Sequence, residues 1–179
     1  DPSSLAPALY GLGAFYASTA QPKKACEFGR RLLAVADAQG DEDMLIEANV
    51  ILAIAEYLKG DPAAAVTSAR QVLDRWEPEK HRNHIFAYGQ EPGIVAMTMT
   101  ALAHGWLGRL DEALALADEA EGRGREAGHP LTLAYTLGGQ HVGDFAGRLI
   151  AVVGLLRVQL GNDVAQPLRR FGNDLANVA

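Results

Sequence analysis

Two histidines three positions apart are the first residues of this chain whose types and spacing could do chemistry. His81 and His84 belong to the stretch HRNHIFAYGQEPG, residues 81–93, and Glu79 lies just before it. On a helix, such residues could present metal ligands on one face, but a structural zinc site needs four ligands and a catalytic site usually three. We predict no metal site and no cofactor, because no cysteine is close and the remaining histidines lie in other predicted hairpins: His104, His129 and His141.

Catalytic motifs are absent from the sequence. It contains no GxSxG or HExxH pattern, and no serine sits in a strand-to-helix turn that would expose a nucleophile. Gly11 and Gly13 lack the third glycine of a dinucleotide-binding loop, and no Gly-Lys-Ser/Thr forms a P-loop. We therefore predict a protein without enzymatic activity in these residues.

Composition narrows the class of protein further. The 179 residues are 49% hydrophobic with a formal net charge of −6, and no stripe of Lys and Arg is present to bind nucleic acid. No segment approaches the roughly 18 apolar residues of a membrane span. The single cysteine, Cys26, excludes an internal disulfide and favours a reducing compartment, so we predict a cytoplasmic protein. The first residue is not methionine, which predicts a piece of a longer chain.

Cys26 itself allows two interpretations. Its neighbours in KKACEFGRR are basic, and basic neighbours lower the pKa of a thiol. A small residue packed between helices is the more common role for a lone cysteine, and we favour it.

Breaker residues divide the chain into helices. Abundant Ala and Leu without alternating Val, Ile or Thr indicate an all-helical protein. Gly, Asp and Pro recur together, for example in KGDP (59–62) and GHP (128–130). Gly suits the position after a helix, Asp caps the next one and Pro fits its first turn. Such short turns force consecutive helices into antiparallel hairpins.

Small residues recur at equivalent places in the predicted hairpins. Six of them form pairs twelve positions apart, each pair spanning one hairpin: Gly13 and Ala25, Ala53 and Ala65, Ala101 and Ala113. In tetratricopeptide repeats, small residues at such positions let the two helices approach closely. We predict an all-α fold, a right-handed α-α superhelix of about four tetratricopeptide-like hairpins with a concave groove.

Uneven spacing between repeats indicates an insertion. Ala25, Ala65 and Ala113 are 40 and 48 residues apart, whereas the standard repeat has about 34 residues. The longer step places an insertion at residues 76–93. We predict a repeat domain over residues 1–161 and a C-terminal capping helix or tail over 162–179, with hairpins at about 5–39, 42–75, 92–127 and 130–160.

Two interpretations of the insertion remain open. An exposed loop that carries polar and aromatic groups at a superhelix edge is a plausible recognition element for a partner or ligand. Alternatively, His81, Arg82 and Gln90 satisfy backbone groups left open at two helix ends. The candidate binding residues are His81, Arg82, Tyr88, Gln90 and Glu91.

Four short motifs carry a resemblance to a known family: HR (81–82), YGQEPG (88–93), LGRLDEAL (107–114) and GHP (128–130). Over about residues 25–140, the chain resembles the C-terminal tetratricopeptide-like region of bacterial signalling proteins. Those proteins pair a class III adenylate or guanylate cyclase domain with a large AAA or STAND-type ATPase domain. Glu91 departs from the aspartate that is usual in the family.

The resemblance implies a regulatory and interaction region without the cyclase residues or the nucleotide-binding loop. Its expected partners are proteins: the ATPase and cyclase domains of the same polypeptide, or another signalling protein. The alternative is a domain that senses a small-molecule effector in a STAND-type transcriptional regulator. Neither nucleic acid nor a membrane is an expected partner.

Overall fold

The computed structural model describes residues 2–129 together with Thr132 and Thr136, with side chains from Leu5 onward. This part of the chain forms α-helices without a strand, which confirms the predicted all-α class. The predicted hairpin at 130–160 and the tail at 162–179 lie outside the described residues. The helices are α1 (Pro2–Ser18), α2 (Pro22–Gln39), α3 (Glu42–Leu58), α4 (Pro62–Leu73), α5 (His84–Tyr88), α6 (Pro92–Trp106) and α7 (Leu110–Ala127).

The helix ends follow the breaker residues. The side chain of Asp41 accepts a hydrogen bond from the Met44 N–H at 3.0 Å, and so caps the start of α3. Asp61 accepts one from the Ala64 N–H at 3.1 Å and caps α4 in the same way. Gly40 ends α2 with a φ of 64°, a left-handed conformation that costs glycine little because it has no Cβ.

The helices pack in antiparallel pairs, α1 with α2, α3 with α4, and α6 with α7. Each pair also contacts the next, through α2 against α3 and through α4 against α6. The first helix of each pair also contacts the first helix of the next pair, since α3 contacts both α1 and α6. Stacking of this kind buries the apolar faces of each pair against its neighbour.

The interior is centred on α3 and α6, which are apolar around most of their circumference. A helix that is apolar on all sides must be covered on all sides, and these two lie between the others. One core cluster joins α3, α4 and α6 and contains Ile46, Val50, Val72, Val95 and Met99. A second joins α1, α2 and α3 and contains Leu9, Leu32 and Ala48.

All six small residues predicted at repeat positions are buried in this packing: Gly13, Ala25, Ala53, Ala65, Ala101 and Ala113. At Gly13 an added Cβ would lie 3.0 Å from Ile51 Cγ2, so α1 approaches α3 closely there. At Gly29, on α2, an added Cβ would lie 3.0 Å from the Leu52 side chain. Both of these close approaches lie between successive pairs, whereas the spacing predicted them within each pair.

Trp76 lies in the segment that connects the second and third pairs. Its ring lies against the first turn of α6, where a Cβ added at Gly93 would be 2.1 Å from Trp76 Cδ2. A distance this short means that a Cβ at position 93 would displace the Trp76 indole. The glycine of the YGQEPG motif is thus favoured by packing, and Trp76 lies against the start of α6.

Candidate functional site

The insertion, residues 76–93, forms a turn followed by the short helix α5. The His81 N–H donates to the Glu77 carbonyl at 3.0 Å, and the Glu77 N–H donates to His81 Nδ1 at 2.9 Å. This reciprocal pair closes the turn and fixes the direction of the imidazole ring. At its far end α5 stops at Gly89, whose φ of 78° is left-handed.

Both histidine side chains of the insertion point inward and meet the start of α3. His81 is 1% exposed and His84 is 5% exposed. Their Nε2 atoms lie 3.5 Å and 3.6 Å from the same oxygen, Asp43 Oδ1. One turn further along α3, the carboxylate of Glu47 lies 2.7 Å from His84 Nδ1 and is fully buried.

The hydrogen bonds determine where the ring proton of His81 lies. Because Nδ1 accepts from the Glu77 N–H, the neutral ring carries its proton on Nε2. That Nε2 atom is buried without a hydrogen-bond partner, and Asp43 Oδ1 lies at the limit of the range. Burial lowers the pKa of His81, and the adjacent His84 lowers it further.

His84 has a different electrostatic environment. Burial lowers its pKa, but the hydrogen bond and charge of Glu47, together with Asp43, outweigh burial and raise it above the ordinary value. Burial raises the pKa of Glu47, and His84 opposes that shift. His84 Nδ1 and Glu47 Oε1 share one hydrogen bond, and the second carboxylate oxygen, Oε2, is buried without a partner.

These side chains form a set of donors that could hold a metal ion. One ligand atom from each of Asp43, His81 and His84 lies within 4.8 Å of the others. From the sequence, the acidic residue expected near His81 and His84 was Glu79, which instead pairs with Arg82. Asp43 is brought to them from a different helix.

Tyr88 and Gln90 attach the insertion to α1. The hydroxyl of Tyr10 donates to the Tyr88 carbonyl at 3.0 Å, and the two rings meet edge to face at 4.8 Å. Gln90 Nε2 donates to the Tyr10 hydroxyl at 3.4 Å. Gln90 is only 7% exposed, so its amide is engaged within the protein.

The opposite side of the insertion faces α7 across a cleft of about 580 Å³. Its walls carry aromatic and charged groups: Trp76, Arg82, Phe86, Glu91, Arg123 and Glu126. Arg82 pairs with both carboxylate oxygens of Glu79, at 2.7 and 2.9 Å. Phe86 is 82% exposed. Burial raises the pKa of Glu91, while Arg123 and Arg82 lower it in part.

The structure thus divides the five candidate binding residues between two faces. His81, Tyr88 and Gln90 lie on the inner face, against α1 and α3. Arg82 and Glu91 lie on the outer face, in the cleft. Of the residues proposed to satisfy open backbone groups, His81 does so through Glu77, whereas Arg82 and Gln90 bond to side chains.

Asp43 and Glu47 were missed by the reasoning from sequence. One signal was present, since Glu47 interrupts the apolar run MLIEANVILAIA at a position where α3 is covered on all sides. A charged residue in such a run needs a partner in the interior. His104 lies away from this cluster, on α6 beside Arg109. His129 lies near Thr132, and His141 is outside the described residues.

Comparison of the chain with protein-family models, curated proteins and solved structures gives no match. Among the described helices, none is long and apolar enough to cross a membrane.

Proposed function

We propose that this chain is a helical-repeat module that binds another protein or another domain of its own polypeptide, without catalysing a reaction. The observation that carries the proposal is the cleft between the insertion and α7. It joins an exposed aromatic ring, Phe86, to charged groups of both signs, including Arg82 and Glu91. Exposed aromatic and arginine side chains are enriched where proteins bind each other.

The order of the helices supports the same proposal. Stacked antiparallel pairs present long surfaces that suit an extended or helical segment of a partner. By its resemblance to the repeat region of bacterial ATPase and cyclase signalling proteins, the module would be a cytoplasmic regulatory region. Its partner would then be the ATPase or the cyclase domain.

Site-specific photocrosslinking tests this proposal. A photoreactive phenylalanine analogue replaces Phe86 in the full gene product, and the crosslinked peptides are identified by mass spectrometry. The matched control carries the analogue at Phe15, which is 54% exposed and lies on α1. We expect position 86 to give more crosslinks than position 15 to a protein or domain outside this chain. Equal yields from the two positions would exclude the cleft as the binding surface.

A second candidate function, sensing of a small-molecule effector, is favoured by the size of the cleft. A volume of about 580 Å³ falls within the range of small-molecule sites. A ligand that binds the folded chain alone raises its melting temperature, so a thermal-shift screen of metabolites is the test. Arg123→Gln should abolish any shift, because Arg123 lines the cleft. Arg125→Gln should leave it intact, because Arg125, which like Arg123 is paired with a glutamate on the same helix, does not line the cleft.

A further inference from the structure

We infer that Asp43, His81 and His84 form a binding site for one divalent transition-metal ion of the zinc type. Two imidazole nitrogens and one carboxylate oxygen are ligands that zinc, cobalt and nickel accept. This cluster lies on the inner face of the insertion, away from the cleft. The inference therefore stands independently of the partner proposed above.

The distances between the donor atoms suit such an ion. Bonds of about 2.0–2.1 Å in tetrahedral geometry place neighbouring ligand atoms roughly 3.3 Å apart. Asp43 Oδ1 lies 3.5 Å from His81 Nε2 and 3.6 Å from His84 Nε2. An ion between them would need shifts of only a few tenths of an ångström along these two edges. The side chain of Asp43 is 57% exposed, so water can reach the remaining coordination positions from that side.

Glu47 supplies the support that metal-bound histidines usually have. A ligating histidine commonly donates its second ring N–H to a carboxylate, which fixes the ring and makes it a better ligand. Here the Glu47 carboxylate, fully buried on α3, contacts His84 Nδ1 at 2.7 Å. In the neutral ring with its proton on Nδ1, the lone pair of His84 Nε2 faces Asp43 Oδ1, and an ion would take the place of the proton that Nε2 carries in the charged ring.

The buried nitrogen of His81 is an independent indication. Its Nε2 atom has no hydrogen-bond partner although the residue is 1% exposed, and it is directed at Asp43 Oδ1. An unsatisfied buried polar atom in a folded protein calls for an explanation such as an ion. A metal would replace the proton on this nitrogen and satisfy it.

Metal binding has one structural consequence that can be measured. In this structure, His81 Nδ1 accepts a hydrogen bond from the Glu77 N–H. When Nε2 binds the metal, the ring proton moves to Nδ1, and Nδ1 can no longer accept. The Glu77 N–H must then lose its present acceptor. We expect the turn at residues 77–81 to adjust, and the Glu77 amide to exchange faster with solvent when metal is bound.

Zinc titration of the full chain, free of any histidine tag and stripped of metal, tests the inference. Calorimetry should show one zinc ion bound per chain, and Co²⁺ should give visible absorption bands. Asp43→Asn should weaken zinc binding by at least about tenfold while the helical circular dichroism is kept, since its side chain is mostly exposed. Glu47→Gln, which retains an acceptor for His84, should weaken it by about tenfold.

His129→Gln is the matched control, because it removes a histidine that lies outside the cluster, and zinc affinity should be unchanged. Absence of zinc binding tighter than about 1 mM would overturn the inference. So would zinc binding that is the same in Asp43→Asn as in the unmodified chain. If zinc binds while exchange of the Glu77 amide is unaltered, His81 does not ligate it through Nε2 and the three-residue site is wrong.

Discussion

The imidazole of His84 and the carboxylate of Glu47 form a buried contact of 2.7 Å between two segments that are 37 residues apart in sequence. His84 belongs to α5, and Glu47 lies in the second turn of α3, the central helix of the described fold. A carboxylate removed from water is tolerated only when it is paired and hydrogen-bonded. The contact therefore attaches the insertion to the core, and it makes each of the two residues depend on the other.

The first prediction is that His84→Ala is strongly destabilising. The substitution leaves Glu47 buried without its partner, and removal of one member of a buried pair costs about 3–5 kcal/mol. Urea denaturation should show a decrease of this size in the free energy of unfolding. Arg82→Ala is the matched control in the same segment. Its partner Glu79 is 84% exposed, and surface pairs contribute at most about 1 kcal/mol.

The double variant Glu47→Leu with His84→Leu distinguishes the effect of an unpaired buried carboxylate from the effect of lost packing around α5. It removes both charges together, and apolar side chains of similar size often replace a buried pair without loss. We expect it to be more stable than His84→Ala. A double variant as unstable as the single one would mean that the loss comes from packing around α5 rather than from the unpaired carboxylate.

Sequence alone predicted the helices and their ends because these depend on local chemistry. Asp41 and Asp61 accept hydrogen bonds from backbone N–H groups three residues later, and Gly40 adopts the left-handed conformation after α2. Each of these effects acts within one turn of helix. The twelve-residue spacing of small residues predicted buried positions, but the close approach at Gly13 is to Ile51 on α3, which is not the next helix in the chain.

The inner face of the insertion was beyond sequence reasoning because it depends on tertiary contact. Asp43 and Glu47 are 38 and 37 residues from His81 and His84, and nothing local relates the two pairs. Which side of the insertion faces α3 is decided by the turn that the Glu77 N–H and the His81 ring close. The sequence indicated His81, Tyr88 and Gln90 as candidate binding residues on an exposed loop, but it could not show that they point inward.

The second prediction concerns Gly93 in the YGQEPG motif. In Gly93→Ala the new Cβ would lie 2.1 Å from Trp76 Cδ2, so the indole must move. Overpacking of this kind costs about 1–3 kcal/mol. Thermal denaturation should show the loss, and the emission of Trp76 should change as its ring leaves the start of α6.

Gly105→Ala is the matched control on the same helix. Nothing lies within 4 Å of a Cβ added at Gly105, so the substitution meets no obstacle. Replacing glycine by alanine inside a helix stabilises it by roughly 0.5–1 kcal/mol. The two substitutions should therefore have opposite signs. If Gly93→Ala is neutral, then Trp76 does not pack as described.

The third prediction is that Cys26 reacts slowly with thiol reagents in the folded protein. Its basic neighbours in sequence suggested a lowered pKa, but the residue is 2% exposed and packs beside Ala25 and Ala55. Burial raises the pKa of the thiol, and the charges of Lys59 and Arg30 offset this only in part. The thiolate is the reactive form, so alkylation should follow unfolding. Rapid alkylation in native buffer, at the rate seen in urea, would contradict this packing.

The fourth prediction concerns the pH dependence contributed by His104. Burial lowers its pKa below the ordinary value of 6.5, and the neighbouring Arg109, 3.2 Å from Nε2, lowers it further, while Glu112 opposes the shift. Below about pH 6.5 the unfolded chain therefore binds a proton at this position before the folded chain does. The stabilisation from neutral His104 should be present above pH 6.5 and decrease as the pH falls toward the lowered value.

The measurement is the free energy of unfolding of the unmodified chain minus that of His104→Gln, from about pH 8 to about pH 5. In this difference the contributions of titrating groups distant from His104 cancel, and it should become smaller as the pH falls. A difference that stays constant or grows over this range would show that His104 is not held neutral.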